Sequence, residues 1–215
     1  MANIELIHVD CMDYMATLPD KAFQLAIVDP PYGIGEGGNN TSRHHSQAKY
    51  KESDWDKEPP SKEYFIELMR VSKNQIIWGA NHFISRIPFY ILDSPCWIYW
   101  DKDRYGDFAD GELAWTSFKT AVRSYKFTWD GFRKQLPQDR IHPTEKPIQL
   151  YRWLLKNYAK PGDRILDTHG GSMSIAIACH DLNFDLVCCE KDKDYYDAAV
   201  KRFNNHKKQL SLFQK

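Results

Sequence analysis

The chain has 215 residues, with 29 basic and 29 acidic side chains and a formal net charge of zero, so any nucleic-acid footprint must be local rather than global. With 42% hydrophobic residues, it is expected to form one domain, residues 1–215, with a full core and little room for a separate recognition domain. No apolar run approaches the roughly eighteen residues of a membrane span, and no charged-then-apolar leader opens the chain, so a cytoplasmic protein is expected.

Ile4 to Val9 alternates apolar and polar residues as a strand does, and Asp10-Cys11 follow before a short helix that runs out near Leu18-Pro19-Asp20. Gln24 to Val28 reads as a buried strand that ends in Asp29-Pro30-Pro31-Tyr32, ahead of a glycine-rich segment from Gly33 to Asn40. Asp10 and Asp29 thus sit at one carboxyl edge of an α/β sheet, where ligands bind. Two prolines remove two backbone donors and leave carbonyls on a rigid wall suited to an amine donor. A plain Pro-Pro turn accounts for the same residues, as a helix N-cap does for Asp10.

From Gly33 to Pro60 the chain is polar, with Arg43, His44, His45, Lys49 and Lys51 ahead of Glu52, Asp54, Asp56 and Glu58. A long loop hinged on the tetrapeptide is expected there, of the kind that closes over a bound ligand. The paired histidines lack a carboxylate or cysteine at ligand spacing, so no metal is assigned. Ser61 starts a helix with Tyr64, Phe65, Leu68 and Met69 on one face, and Ser72-Lys73-Asn74 ends it before a strand from Gln75 to Gly79. Phe89 to Leu92 and Cys96 to Trp100 are further strand candidates, and most tryptophans read as core.

Leu113 to Phe118 and Val122 to Trp129 read as two strands of a hairpin joined near Lys119-Thr120. Here Lys119, Arg123, Lys126, Arg133 and Lys134 interleave with Tyr125, Phe127, Trp129 and Phe132, a composition suited to phosphate contact. An edge strand protected by charge has the same composition. If the chain reads a nucleic-acid sequence, residues 103–138 are the small region expected to do so.

Thr144 and Lys146-Pro147 precede a helix with Ile148, Tyr151, Leu154, Leu155 and Tyr158 on one face. A helix start with a lysine beside it suits a carboxylate, although capping alone explains Thr144 and Pro147. Asp163 to Asp167 is the next strand, followed by Thr168-His169-Gly170-Gly171-Ser172 and a small-residue helix. Glu190 ends the following strand about twenty residues on, where an acid holds ribose hydroxyls. A last helix carries Lys201, Arg202, Lys207 and Lys208, read as a solvated tail. Cys11, Cys96, Cys179, Cys188 and Cys189 show no zinc-type spacing and read as reduced, mostly core thiols.

Asp29-Pro30-Pro31-Tyr32, together with Gln75 to Asn81, Trp97 to Lys102, His142 to Pro147 and Ile165 to Ser172, resembles the site-specific DNA adenine N6 methyltransferases. The order, catalytic motif before glycine motif, is similar to their circularly permuted β group, and most of the chain is covered. The resemblance implies a Rossmann-like, S-adenosylmethionine-dependent methyltransferase fold, α/β with a mostly parallel sheet and an antiparallel edge hairpin. It implies catalysis by Asp29, Pro30, Pro31 and Tyr32, the last stacking on a flipped base. Cofactor contacts are expected from Asp10, Cys11, Asp29, His142, Thr144, Lys146, Asp167, Thr168, His169, Gly171, Ser172 and Glu190. Double-stranded DNA is the expected partner, with Arg43, Lys49, Lys119, Arg123, Lys126, Arg133 and Lys134 as its contacts.

Asp29 stands where related cytosine enzymes usually carry Ser, which points to adenine. Cytosine N4 or RNA methylation, and a DNA-binding protein of this fold that lacks turnover, are the competing readings. Oligomeric state stays open, a homodimer among the options. The chain departs from the family pattern at Met173, which replaces the last glycine of the cofactor motif, so weaker cofactor binding is expected.

Overall fold

The computed structural model of the protein describes residues 2–35, 56–88, 93–103, 109–129, 141–142 and 144–213. Strand β1 (Ile4–His8) leads into helix α1 (Cys11–Ala16), capped by Asp10, whose carboxylate accepts the Met12 N–H at 2.9 Å and satisfies one orphan donor of the helix start. Strand β2 (Phe23–Val28), helix α2 (Lys62–Val71) and strand β3 (Ser72–Trp78) make the first crossover. A short helix α3 (Ala80–Phe83) is followed by β4 (Trp97–Asp101), β5 (Gly111–Thr116) and β6 (Arg123–Lys126). Helix α4 (Ile148–Tyr158), β7 (Arg164–Asp167), α5 (Ser174–Leu182), β8 (Asp185–Glu190) and α6 (Lys193–Phe213) complete the order.

The strands form one sheet in the order β1-β8-β7-β2-β3-β5-β4-β6. Only β5 runs against its neighbours among the described strands; it pairs antiparallel with both β3 and β4. Successive residues of the central strands feed two cores. Leu25, Ile27, Ile76, Trp78 and Ile165 pack with Leu154, Ile175 and Phe203 on one face; Ala26, Val28, Ile77 and Leu166 pack with Met15, Phe65 and Leu68 on the other. Burial on both faces is why these strands are continuous apolar runs in the sequence.

The chain leaves β2 toward α2 on one face and leaves the adjacent β7 toward α5 on the other. The loops after these two strands therefore part and open a crevice at their carboxyl ends. The carboxyl ends of β1, β3, β4 and β8 reach the same edge, as does the amino end of the reversed β5.

Two strand assignments change. The segments containing β5 and β6 do not pair with each other: β4 lies between them, so the hairpin is β4–β5, and β6 joins as a parallel edge strand. Ile98 and Trp100 of β4 are fully covered, whereas Arg123, Ser124 and Lys126 of β6 are exposed, which suits β6 to an edge. Strand β3 starts at Ser72 rather than Gln75. The candidate strand Phe89 to Leu92 lies outside the described residues. Cys96, Cys179, Cys188 and Cys189 are buried free thiols, and Cys11 is half-buried.

Met173 sits at the start of α5 with a left-handed backbone (φ 51°) and a side chain 1% exposed in the core. Losing a buried methionine side chain costs about 2–5 kcal/mol, while glycine relieves roughly 1–2 kcal/mol of left-handed strain. Met173→Gly is therefore expected to destabilise the fold by a net of about 1–3 kcal/mol, read as a lower urea midpoint. A midpoint equal to or above that of the unsubstituted protein would place the side chain outside the core.

Candidate active site

A cavity of about 590 Å³ occupies the crevice, within the range of sites that enclose small ligands. Asp10 and Cys11 after β1, Gly170 to Ser172 after β7, and Glu190 to Asp192 after β8 line one part; Asp29, Pro31 and Lys146 line another. Of the residues chosen from the sequence for catalysis or cofactor contact, Asp10, Cys11, Asp29, Pro31, His142, Thr144, Lys146, Thr168, His169, Gly171, Ser172 and Glu190 are in this lining. Pro30, Tyr32 and Asp167 are not. Met12, Tyr64, Tyr151 and Tyr195 also line it; sequence periodicity assigned Tyr64 and Tyr151 only to helix faces.

The glycine turn is held by carboxylates. Glu190 Oε2 accepts the Gly171 N–H and its Oε1 accepts the Asp192 N–H, both at 2.7 Å; Asp167 accepts the His169 N–H at 3.0 Å. Gly171 takes φ +50°, a conformation that favours glycine. Burial raises the Glu190 carboxyl above its ordinary range despite the amides it accepts from. Asp10 pairs with Lys191 at 2.7 Å, and that hydrogen bond lowers its carboxyl. Burial pushes the Cys11 thiol up to about 12, so it stays protonated. Tyr64 from α2 reaches across the crevice to Thr168 Oγ1 at 2.6 Å, which lies 2.9 Å from His169 Nδ1.

Arg202 of α6 is not part of a solvated tail. One guanidinium nitrogen lies 3.0 Å from Glu145 Oε1, and the other donates to the Ser172 carbonyl at 2.9 Å and to Ser174 Oγ at 3.1 Å. Glu145 in turn accepts the Ile141 N–H through Oε2, and its carbonyl accepts the Trp129 indole N–H at 2.8 Å. Arg202 thereby joins the segment before α4 to the glycine turn, two walls of one cavity. Met173 points into the core and is absent from the lining, so its side chain does not crowd the pocket.

Lys146 was assigned to a cofactor carboxylate; its ammonium is instead engaged at Asp29 and Tyr32. The side chain is 3% exposed and forms ion pairs with Asp29 Oδ2 and, at 3.0 Å, with Glu112 Oε2. Tyr32 Oη donates to Asp29 Oδ1 at 2.8 Å, lies 3.2 Å from Glu112 Oε2, and accepts from Lys146 Nζ at 3.1 Å. Lys102 holds the other oxygen of Glu112. Burial raises the Asp29 carboxyl against the pull of Lys146. Burial acts the same way on Glu112, but Lys146 and Lys102 override it and hold that carboxyl at about 2. The Tyr32 ring stacks on His82 with centroids 5.1 Å apart, so one ring face is already covered and the hydroxyl has a polar role that the sequence reading had not given it.

The tetrapeptide is fixed from two further sides. Gly79, at φ +68°, lies so close to the ring that a Cβ there would come within 2.1 Å of Tyr32 Cε1. Asp56, 2% exposed, accepts the N–H groups of Tyr32 (2.7 Å), Gly33 (2.8 Å) and Ile34 (3.3 Å), and its carbonyl accepts the Gly35 N–H at 3.1 Å.

The proposed DNA contacts are scattered. Lys126 lies at the carboxyl end of β6, on the same sheet edge as Asp29, and pairs with Asp103 at 2.7 Å. Arg123 and Lys119 lie at the opposite edge, where β5 ends and β6 begins. Arg43, Lys49, Arg133 and Lys134 lie outside the described residues, as do His44 and His45.

Comparisons with known proteins agree with this layout. Residues 96–201 match the family model described as DNA methylase. The chain is 22% identical to the type II methyltransferase M2.MboI of Moraxella bovis, over 94% of this chain and 88% of that one. Among solved structures it is similar to the M1.HpyAVI–SAM complex, at 22% identity and TM-score 0.59, over 93% of this chain and 99% of the other. It is also similar to the PvuII DNA methyltransferase, cytosine-N4-specific, at 12% identity and TM-score 0.60, over 96% and 92% of the two chains. The fold is that of these methyltransferases, and the resemblance carried by the sequence motifs extends to the chain as a whole.

Both cavity histidines are held neutral: burial pushes His142 and His169 down to about 4, with Lys146 adding to the effect on His142. The unfolded chain protonates near 6.5 while the folded chain resists until about 4, so stability present above that upper value is lost as pH falls through the window. The loss is at most roughly 3 kcal/mol per histidine. Asp167, raised to about 7 by burial, acts oppositely, its contribution fading as pH rises through that value. His169→Asn is expected to flatten the acid side of the stability curve, with less change in urea midpoint between about pH 6.5 and pH 4.5 than the unsubstituted protein shows. Parallel curves would remove His169 from the acid response.

Proposed function

We propose that the protein is an S-adenosylmethionine-dependent DNA methyltransferase whose acceptor is the exocyclic N6 amine of adenine. The observation that carries this reading is one cavity lined both by the glycine turn with Glu190 and Asp10 and by the Asp29 carboxylate with Pro31. The residues present fit the cofactor. Gly171 and Ser172 bring backbone to the start of α5, Glu190 stands where an acid holds ribose hydroxyls, and Asp10 stands at the next strand end for the adenine portion. His142 and Thr144 face the remaining part. The family match over residues 96–201 and the relatedness to type II methyltransferases support the same class of activity.

The cofactor supplies an already activated sulfonium methyl, so the chain's task is orientation and charge. Asp29 and the Pro30 carbonyl accept the two amine hydrogens, which favours a pyramidal nitrogen. With the cofactor bound, the amine lone pair would take up the methyl group as the sulfonium becomes a neutral thioether, and the methylated nitrogen would pass its extra proton to solvent through the cavity. The Asp29 carboxylate stabilises the positive charge that develops on nitrogen before that loss. An extruded base needs an aromatic neighbour, and Tyr32 stacked on His82 provides the start of such a column, where stacking is worth roughly 1–3 kcal/mol per base. That offsets much of the few kcal/mol spent in taking a base out of the duplex. Lys126 is the described basic residue best placed to meet a phosphate of that duplex.

The adenine assignment rests on Asp29, where related cytosine enzymes usually carry Ser. Incubating the purified protein with a genomic DNA library and S-adenosylmethionine, then mapping methyl groups base by base, tests it. N6-methyladenine at a defined sequence is expected, reduced about 100-fold or more by Asp29→Ala while S-adenosylhomocysteine binding persists. Methyl groups on cytosine N4 would change the acceptor. Bound cofactor without transfer to either base would make the chain a DNA-binding protein of this fold.

A further inference from the structure

Asp29 is occupied by its own neighbours. Its Oδ2 is paired with Lys146 and its Oδ1 accepts the Tyr32 hydroxyl at 2.8 Å. Each carboxylate oxygen has a second lone pair, so an amine can reach Asp29 from the cavity, but the ammonium and the hydroxyl compete with it for the negative charge. An ammonium this deeply buried, if it draws back, cannot be left without a counterion. A second carboxylate is already within reach. Glu112 Oε2 lies 3.0 Å from the same Nζ and 3.2 Å from the same hydroxyl, while Lys102 anchors its other oxygen. Glu112 is not part of the cavity lining, whereas Asp29 is.

We infer that Glu112 is a positioning residue for methyl transfer: it takes over the Lys146 ammonium and the Tyr32 hydroxyl when the acceptor amine occupies Asp29, leaving that carboxylate ionised and free to accept. The inference rests on the methyltransferase reading. Two carboxylates and two ammoniums sum to zero before and after the exchange, so no net charge is buried at any point. The movement is small, because both contacts to Glu112 already exist and only those to Asp29 have to lengthen. Without Glu112, Lys146 has one carboxylate left, and that is the one the amine needs.

The pH dependence of transfer separates this role from simple packing. The groups facing Asp29 are Tyr32 on its own turn, Lys146 before α4, and Glu112 on β5 with Lys102 behind it. Tyr151 of α4 and Asp167 of β7 interact with it at longer range. In Glu112→Gln the Lys146 ammonium binds Asp29 alone. Asp29 then ionises more readily, but it is pinned.

The experiment is single-turnover methyl transfer to a duplex carrying the mapped site, followed across pH, with S-adenosylhomocysteine titrated calorimetrically into each variant. For Glu112→Gln the plateau rate is expected to fall roughly 10- to 100-fold, with the acid limb moved to lower pH and S-adenosylhomocysteine affinity unchanged. Adding Lys146→Met releases the pin: the rate at high pH is expected to rise above that of Glu112→Gln, with the acid limb now above its original position because Asp29 has lost its counterion. Glu112→Asp, which keeps the charge, restores the limb and serves as the test if the glutamine variant does not fold. An unchanged plateau and limb in Glu112→Gln, or a lower plateau with an unmoved limb, overturns the inference and leaves Glu112 as a structural counterion. Failure of the unsubstituted protein to methylate any duplex removes the methyltransferase reading and the inference with it, an outcome distinct from either of those.

Discussion

A lysine ammonium almost sealed from water is held by carboxylates beside it, because breaking such a buried pair costs about 3–5 kcal/mol, a large part of the roughly 5–15 kcal/mol that stabilises a domain. Lys146 meets that constraint with Asp29 from the end of β2 and Glu112 from the start of β5. Much of the sheet's right half follows. Strand β5 has to run backwards for its first residues to reach the carboxyl edge, and β4 has to lie beside it for Lys102 to close the set. Gly79 has to lack a side chain so that the Tyr32 ring can bring its hydroxyl between the two acids.

What the sequence made legible were features with a local signature. An apolar run ending in Asp-Pro-Pro-Tyr, a glycine pair between a strand and a helix, and an acid at the end of the next strand each announce a position at the ligand edge by spacing alone. Asp10, Asp29, Gly171 and Glu190 accordingly meet in one cavity. The residues that escaped are those whose meaning depends on a distant partner. Glu112 is an unremarkable acid in a polar stretch until β5 pairs with β4 and sets it opposite Trp100. Arg202 belongs to a basic helix end until α6 docks and points one arginine of that run at Glu145 and Ser172. The edge strand failed for the same reason: a four-residue segment with an exposed, charged pattern does not say which neighbour it will join.

The two halves of the site are held by different means. The glycine turn depends on carboxylates accepting backbone amides and on Arg202 bridging two segments that are far apart in the chain. The tetrapeptide depends on a compact set of ion pairs with a phenol at its centre. The shared cavity lets a ligand touch both, yet few side chains span them. The link that does exist runs through one segment: Glu145 is tied by Arg202 to the glycine turn, and its neighbour Lys146 is paired with Asp29 and Glu112.

Asp56 gathers three successive amides of the turn that follows Asp29, and its own carbonyl takes a fourth. Gly35 and Asp56 are thereby fastened to each other, and the closure is made by atoms of the turn that follows Asp29. With four successive amides already satisfied, the turn after Asp29 holds its shape without hydrogen bonds from the sheet, so Asp29 is fixed from both sides, by β2 before it and by Asp56 after it.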